Sequence, residues 1–151
     1  MVVEQAKRVL VVDDDAEVRG LLSSAFREQG LVVDLASGGR EAIDLITATP
    51  YAVIVVDLIM PDVDGFAVLD HLGSRDGSPV VIVVSGAEDQ IVGRLDPRVV
   101  HGVIRKPFDT AELSNIVVAC AEIRGRSAFE TMAIAAMFAG PPLMAWLTRL
   151  Q

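Results

Sequence analysis

The chain has 151 residues, of which 52% are hydrophobic and 23% charged. This much apolar material is enough for a core and excludes a chain that is disordered throughout. The formal net charge of -8 argues against nucleic acid as the main partner, because phosphates repel an acidic surface. The same charge is compatible with binding a cation. The length predicts one domain, or one domain with an appendage.

Neither targeting signals nor disulfides are expected. The N-terminal residues lack the apolar segment and cleavage site of a signal peptide. No uninterrupted apolar stretch reaches about 18 residues, so we expect no transmembrane segment and a cytoplasmic location. The single cysteine, Cys120, cannot form an intrachain disulfide, and its apolar helical surroundings predict a buried thiol.

Strand-like and helix-like segments alternate along the chain. Strands are predicted at residues 9–12, 31–36, 51–56, 79–84 and 103–104. Helices are predicted at about 18–30, 39–50, 66–72 and 109–123, the last one starting at the cap-like pair Asp109 and Glu112. Residues 87–100 are poorly patterned, and because Gly93 and Pro97 interrupt them, any helix there is short.

The alternation predicts the fold class. Three of the strands are apolar at every position, as expected where helices cover both faces of a sheet. Five strand–helix units of this kind predict an α/β fold with a parallel sheet and right-handed crossovers. We expect this domain to span residues 1–124.

The remaining residues, 125–151, are predicted to form an apolar helical extension. Ser127 and Glu130 match a capping box, and the helix that follows is apolar nearly all round until Gly140-Pro141-Pro142 breaks it. Such a surface is expected to be buried in some way. Three alternatives stay open: it packs on its own domain, it mediates self-association between two chains, or it contacts a partner or a membrane surface.

Chemically active side chains follow four of the predicted strands. Asp13 and Asp14 follow the first, Asp57 the third, Ser85 the fourth and Lys106 the fifth. Taken singly, each could be an ordinary cap or turn residue. In a parallel α/β sheet, however, these strand ends open on one edge, where ligands bind. The sequence therefore predicts that three carboxylates, a hydroxyl and an ammonium converge.

Crowded carboxylates repel one another, so either one takes up a proton or a cation lies among them. Oxygen ligands with open positions suit Mg²⁺, which favours one or two carboxylates together with a phosphate. A carboxylate beside such a metal can attack phosphorus and form an acyl phosphate. The metal and the ammonium would then neutralise the charge on the phosphoryl oxygens. This pattern points to phosphoryl transfer.

Four stretches together resemble the receiver domain of two-component response regulators: Asp13-Asp14, the run from Asp57 to Phe66 that reads DLIMPDVDGF, Val84-Ser85-Gly86-Ala87, and Lys106-Pro107-Phe108. The resemblance implies a flavodoxin-like, doubly wound five-stranded sheet of order 2-1-3-4-5, with residues 1–124 as the receiver. It also implies that the chain is a signalling protein rather than a conventional enzyme.

The resemblance assigns roles to individual residues. Asp57 would take a phosphoryl group from a phosphohistidine on a sensor histidine kinase or a histidine phosphotransfer protein. Asp14, Asp57 and the backbone carbonyl of Ile59 would bind Mg²⁺, and Asp13 would reach the metal through water. Ser85 would turn toward the phosphoryl group, and Lys106 would pair with it. Asp15, Asp62 and Asp64 match no such role and are interpreted as cap and loop residues.

Two features depart from the family pattern. Val103 stands where receivers usually carry the aromatic switch residue, so we expect a different response of the output surface to phosphorylation. His101 lies two residues earlier on the same strand face and is either a replacement switch or a plain edge-strand histidine; His71 is expected at the surface. In this family the positions of Ile59 and Ala87 influence attack of water on the acyl phosphate. Both are apolar here, which predicts slow self-dephosphorylation.

Two rival functions stay open on the sequence. Asp13-Asp14-Asp15 mimics the D-x-D motif of haloacid-dehalogenase-like phosphatases, although Ala16-Glu17 follow where that family has Thr or Val. A degenerate receiver that acts only as a phosphorylation-independent dimerisation module is the other alternative. The favoured interpretation is a receiver without a separate output domain, which relays phosphorylation to a downstream protein target through a conformational or oligomeric change.

Overall fold

The computed structural model describes residues 7–73, 78–86 and 88–122. These residues form five strands and five helices in strict alternation. The elements are β1 (Arg8–Val12), α1 (Ala16–Glu28), β2 (Val32–Ala36), α2 (Gly39–Ala48), β3 (Val53–Val56), α3 (Gly65–Leu72), β4 (Val80–Ser85), α4 (Asp89–Val92), β5 (Gly102–Arg105) and α5 (Thr110–Glu122). The predicted helical extension and Ala87 lie outside the described residues.

The five strands form one parallel sheet in the order β2-β1-β3-β4-β5. This confirms the predicted α/β fold and strand order. Because successive side chains of a strand point to opposite faces, β1 contributes Leu10 and Val12 to one face of the sheet and Val9 and Val11 to the other. Because helices cover both faces of the sheet, residues that point to either face are apolar, which explains the continuous apolar runs in the strands.

Two apolar cores result, one on each side of the sheet. On the first, α2, α3 and α4 cover the sheet with residues such as Ala42, Val68 and Val92. On the second, α1 and α5 pack against each other and against the sheet. Cys120 belongs to this second core and is 1% exposed, and burial raises the pKa of its thiol to about 12, which confirms the predicted structural thiol.

The side chains of three aspartates cap the N-terminal ends of described helices, as their positions after strands or loops predicted. Asp15 accepts hydrogen bonds from the backbone N–H groups of Glu17 and Val18. Asp64 does the same for Ala67 at the start of α3, and Asp109 for Glu112 at the start of α5. Such caps satisfy backbone donors that have no partner within the helix.

The poorly patterned segment forms little regular structure. Helix α4 has only four residues, Asp89–Val92, and the chain from 93 to 101 reaches β5 through turns. Val92, Leu95, Val99 and Val100 nevertheless bury their side chains in the first core. Among the helices of the described residues, none is long and apolar enough to cross a membrane.

Candidate functional site

The sheet register brings the acidic strand ends together. Val12 of β1 pairs with Val56 of β3, and the backbone N–H of Asp57 donates to Val12 O at 2.9 Å. Asp13 and Asp57 therefore leave adjacent strands at the same level. One oxygen from each of Asp13, Asp14 and Asp57 can be chosen so that all three lie within 4.8 Å of one another. Asp13 and Asp57 are buried, whereas Asp14 is exposed.

Lys106 supplies a positive charge to this cluster. Its Nζ lies 2.9 Å from Asp13 Oδ2 and 3.2 Å from Asp57 Oδ2. Burial alone would lower the pKa of Lys106, but the hydrogen bond to Asp13 and the negative charge of Asp57 outweigh it, and the pKa is raised. Lys106 follows β5, whose last residue pairs with Ser85, and the Lys106 N–H donates to Ser85 O at 3.1 Å.

The formal charges of the cluster do not balance. Counted at formal charges, three carboxylates and one ammonium leave an excess of two negative charges. A divalent cation among oxygen ligands would cancel this excess, and carboxylates with free coordination positions suit Mg²⁺. The donor set therefore fits that ion, and its one exposed member is Asp14.

Local hydrogen bonds orient the two buried carboxylates. Asp13 Oδ1 accepts from the backbone N–H of Asp15 at 2.9 Å, so both oxygens of Asp13 are engaged once Lys106 is counted. Asp57 Oδ1 accepts a longer bond of 3.3 Å from the Ile59 N–H. With the contact from Lys106 at 3.2 Å, both oxygens of Asp57 are engaged as well, by longer bonds than those to Asp13.

The loop after Asp57 is held in a tight conformation. The Gly65 N–H donates to Leu58 O at 3.0 Å and closes the loop at its base. A Cβ on Gly65 would lie 2.7 Å from Leu58 Cα and would also clash with the Asp57 carbonyl, so glycine is required there. Asp62 has a φ of 63°, which aspartate tolerates better than most residues. Ile59 is 56% exposed.

Of the residues expected at the site, the structure brings Asp13, Asp14, Asp57 and Lys106 together. Ser85 ends β4 and is buried beside them along the same sheet edge. These placements concern position, and the roles of the residues stay predictions. Val103 is 5% exposed and belongs to the first core.

The two histidines have structural contacts. Val81 of β4 donates its backbone N–H to His101 Nδ1 at 3.0 Å. The backbone N–H of His101 in turn donates to the Val81 carbonyl at 2.8 Å. Burial lowers the pKa of His101. His71 is partly exposed and lies 3.3 Å from Thr47 Oγ1 through Nε2. His101 lies one residue before β5 rather than within it, and its contact with β4 favours a structural role over that of a replacement switch.

One contributor was not anticipated from the sequence. Arg19 of α1 donates from Nη1 to the backbone carbonyl of Asp13 at 2.8 Å. Sequence reasoning treated Arg19 as a polar residue between apolar helix positions. The only sequence signal for this contact is the spacing between Asp13 and Arg19. That spacing does not distinguish Arg19 from the other arginines on helix surfaces.

Comparisons with known proteins decide the family. A family model described as response regulator receiver domain matches residues 9–118. The chain belongs to the response regulator receiver family. This assignment, together with the acidic cluster typical of a phospho-acceptor aspartate, makes the chain a signalling receiver rather than a haloacid-dehalogenase-like phosphatase.

The receiver has relatives among curated proteins and solved structures. It is 34% identical over 111 residues to the regulatory protein AtoC of Escherichia coli and 39% identical over 109 residues to the response regulator MprA of Mycolicibacterium vanbaalenii. These matches cover 73% and 70% of this chain, but only 24% of AtoC and 46% of MprA. The chain therefore spans less than half the length of either relative.

Solved receiver structures share the fold. The receiver domain of the Francisella response regulator 1452 is 31% identical with a TM-score of 0.68, covering 77% of this chain and 97% of that one. The response regulator TrrA of Thermotoga maritima, solved in complex with Mg²⁺ and BeF, is 27% identical with a TM-score of 0.67, covering 76% of this chain and 98% of that one.

Proposed function

We propose that this receiver accepts a phosphoryl group on Asp57 from a phosphohistidine of a sensor histidine kinase or a histidine phosphotransfer protein. The observation that carries the proposal is the position of Lys106, whose Nζ contacts both Asp13 and Asp57 within the carboxylate cluster. A cation at that place can neutralise charge on a phosphoryl group bound to Asp57. The hydrogen bonds to Asp57, at 3.2 and 3.3 Å, are also longer than the two bonds of 2.9 Å to Asp13.

In the proposed reaction, a carboxylate oxygen of Asp57 attacks phosphorus and forms the O–P bond of an acyl phosphate. The P–N bond to the donor histidine breaks, and its electron pair goes to the imidazole nitrogen. Bound Mg²⁺ would supply positive charge to the phosphoryl oxygens. Asp14, Asp57 and the Ile59 carbonyl would hold the ion, with Asp13 reaching it through water.

The remaining residues of the site would act after the transfer. Lys106 would pair with the new phosphoryl group through a charge-assisted hydrogen bond, and the Ser85 hydroxyl would turn toward it. The phosphoryl group adds about -1.5 to -2 charge, which biases a two-state surface toward one arrangement. The receiver would hydrolyse its own acyl phosphate slowly and pass the signal to a downstream protein.

Acetyl phosphate with Mg²⁺ tests the proposal without knowledge of the kinase. Intact mass measurement is expected to show a gain of about 80 Da, one phosphoryl group, in the unmodified chain and none in Asp57→Asn. Asp62→Asn is the matched control, because Asp62 is exposed in the same loop and asparagine tolerates its positive φ; it should label normally. Labelling of Asp13 would contradict the proposal, and a chain that takes up no phosphoryl group would be a phosphorylation-independent module.

The division into a receiver at 1–124 and a helical extension at 125–151 is part of the proposal. Self-association through the extension predicts that the solution mass falls from a dimer to a monomer when residues 127–151 are removed. Packing of the extension on its own receiver predicts a monomer in both cases and lower stability after removal.

A further inference from the structure

The short turn between β2 and α2 contacts both sides of the acidic cluster. At its start, the Ala36 carbonyl accepts a hydrogen bond of 3.2 Å from the Asp13 N–H. At its end, the Gly39 N–H donates to the Val63 carbonyl at 3.0 Å. Asp13 belongs to the metal-side acids, whereas Val63 belongs to the loop that follows Asp57. Residues 36–39 therefore link the two chain segments that carry the site.

The contact at Gly39 leaves no space for a side chain. A Cβ there would lie 2.6 Å from Val63 Cγ1 and 2.9 Å from the Val63 carbonyl carbon, and it would clash with the carbonyl oxygen as well. Two of these three atoms are backbone, so a rotamer change cannot relieve the clash. The neighbouring Gly38 has nothing within 4 Å of its Cβ position and an extended φ of -170°, so alanine fits there.

The loop that Gly39 contacts is held by separate hydrogen bonds along its length. Within residues 58–64, the Leu58 carbonyl accepts from the Gly65 N–H and the Val63 carbonyl from the Gly39 N–H. The exposed Ile59, whose carbonyl is the proposed metal ligand, lies between these two carbonyls and donates its own N–H to Asp57 Oδ1. A displacement of the Val63 peptide would therefore move the loop at one of its anchors, close to the ligand.

We propose that Gly39 is a positioning residue for the phosphoryl-transfer site. Its missing side chain lets the first turn of α2 lie against the Val63 peptide, and this contact sets the distance between the loop after Asp57 and the segment that carries Asp13 and Asp14. This inference rests on the proposed function, because it assumes that the cluster binds Mg²⁺ and that Asp57 is the acceptor.

The test compares Gly39→Ala with Gly38→Ala in the full chain. Magnesium affinity is measured from backbone amide shifts during titration with MgCl₂, phosphorylation rate from intact mass with acetyl phosphate, and folding from thermal unfolding. We expect Gly39→Ala to weaken Mg²⁺ binding about tenfold, the loss typical of residues that orient metal ligands, and to slow phosphorylation. Gly38→Ala should retain both properties within about twofold, because a Cβ at position 38 meets no atom within 4 Å.

The outcomes separate this inference from the proposed function. If the unmodified chain neither binds Mg²⁺ nor gains a phosphoryl group, the proposed function fails. If it does both and Gly39→Ala melts earlier but binds Mg²⁺ as tightly as the unmodified chain, Gly39 is merely structural and the inference is overturned. Should Gly39→Ala not fold, Val63→Gly gives the Val63 peptide more conformational freedom and removes Cγ1, which lies beside Gly39. It should weaken Mg²⁺ binding, and unchanged binding would overturn the inference.

Discussion

The Nζ of Lys106 lies 3.2 Å from Asp57 Oδ2, within hydrogen-bonding distance of the proposed phospho-acceptor. The ammonium of Lys106 and a divalent cation would therefore both lie beside the same carboxylates. Removing it should have opposite effects on metal binding and on phosphoryl transfer, because the ammonium repels Mg²⁺ but stabilises phosphoryl oxygens.

Lys106→Met is expected to bind Mg²⁺ more tightly and to accept phosphate from acetyl phosphate more slowly than the unmodified chain. Without Mg²⁺ its free energy of unfolding should fall by about 3 kcal/mol, the cost of leaving a buried charge without its partner. Titration calorimetry and urea unfolding measure these effects. Lys106→Arg, which keeps the charge, is the control, and weaker Mg²⁺ binding by Lys106→Met would contradict the electrostatic argument.

Ile59 is expected to slow loss of the phosphoryl group from Asp57. It lies two residues after the acceptor and is 56% exposed, and its side chain cannot orient a water by a hydrogen bond. Ile59→Asn supplies such a group, so the acyl phosphate of that variant should decay faster, as followed by intact mass after removal of the donor. Leu21→Asn changes the exposed apolar residue of α1 and should leave the decay rate unchanged. Equal lifetimes in both variants would count against the prediction.

His101 is expected to make stability depend on pH. Burial lowers its folded pKa below the usual 6.5, so the unfolded chain binds the proton first as the pH falls. The contribution of His101 to the free energy of unfolding is complete above pH 6.5 and is lost as the pH decreases through the folded pKa. His101→Asn keeps an acceptor for the Val81 N–H and should flatten this dependence, measured by urea unfolding at several pH values.

His101→Ala separates the hydrogen bond from the titration. It leaves the Val81 N–H without its side-chain acceptor, which costs about 1–3 kcal/mol for a buried donor. We therefore expect lower stability than for His101→Asn at pH 8. Equal stability of the two variants would show that the contact at 3.0 Å contributes nothing.

Two serines on packed helices are expected to be replaceable with a gain in stability. Ser23 of α1 and Ser114 of α5 are buried, and within the described residues their hydroxyls have no hydrogen-bond partner. Each alanine variant should raise the free energy of unfolding by about 1 kcal/mol, because an unsatisfied buried hydroxyl carries its desolvation cost. Ser24→Ala, at an exposed position of α1, reports the helix propensity alone. An equal gain in Ser24→Ala would remove the burial argument.

Much of the fold follows from local sequence features. The continuous apolar runs of β1, β3 and β4 are expected of a parallel sheet covered on both faces, and Asp15, Asp64 and Asp109 mark helix starts by their capping chemistry. The grouping of the acidic residues with Lys106 follows from the common edge of the strand ends. The predicted element ends differ from the observed ones by at most two residues, because the ends of helices and strands fray and are not sharply defined.

Contacts that depend on close approach between distant segments were not predictable. Gly39 and Val63 are joined by a backbone hydrogen bond, and no pattern in either segment indicates the other. The same holds for Val81 with His101 and for Arg19 with the Asp13 carbonyl. Such contacts arise from how the elements pack, which periodicity does not determine.

The shortness of α4 has a consequence for how this face of the receiver can respond. A single helical turn cannot sustain itself, so α4 depends on the side chains that anchor it, together with Arg94, whose guanidinium carbon lies 5.9 Å from the centre of the Phe66 ring. A longer helix would shift as a rigid rod. A segment held in this way loosens or tightens instead, and its amide protection against exchange with deuterium is the quantity that would record the change.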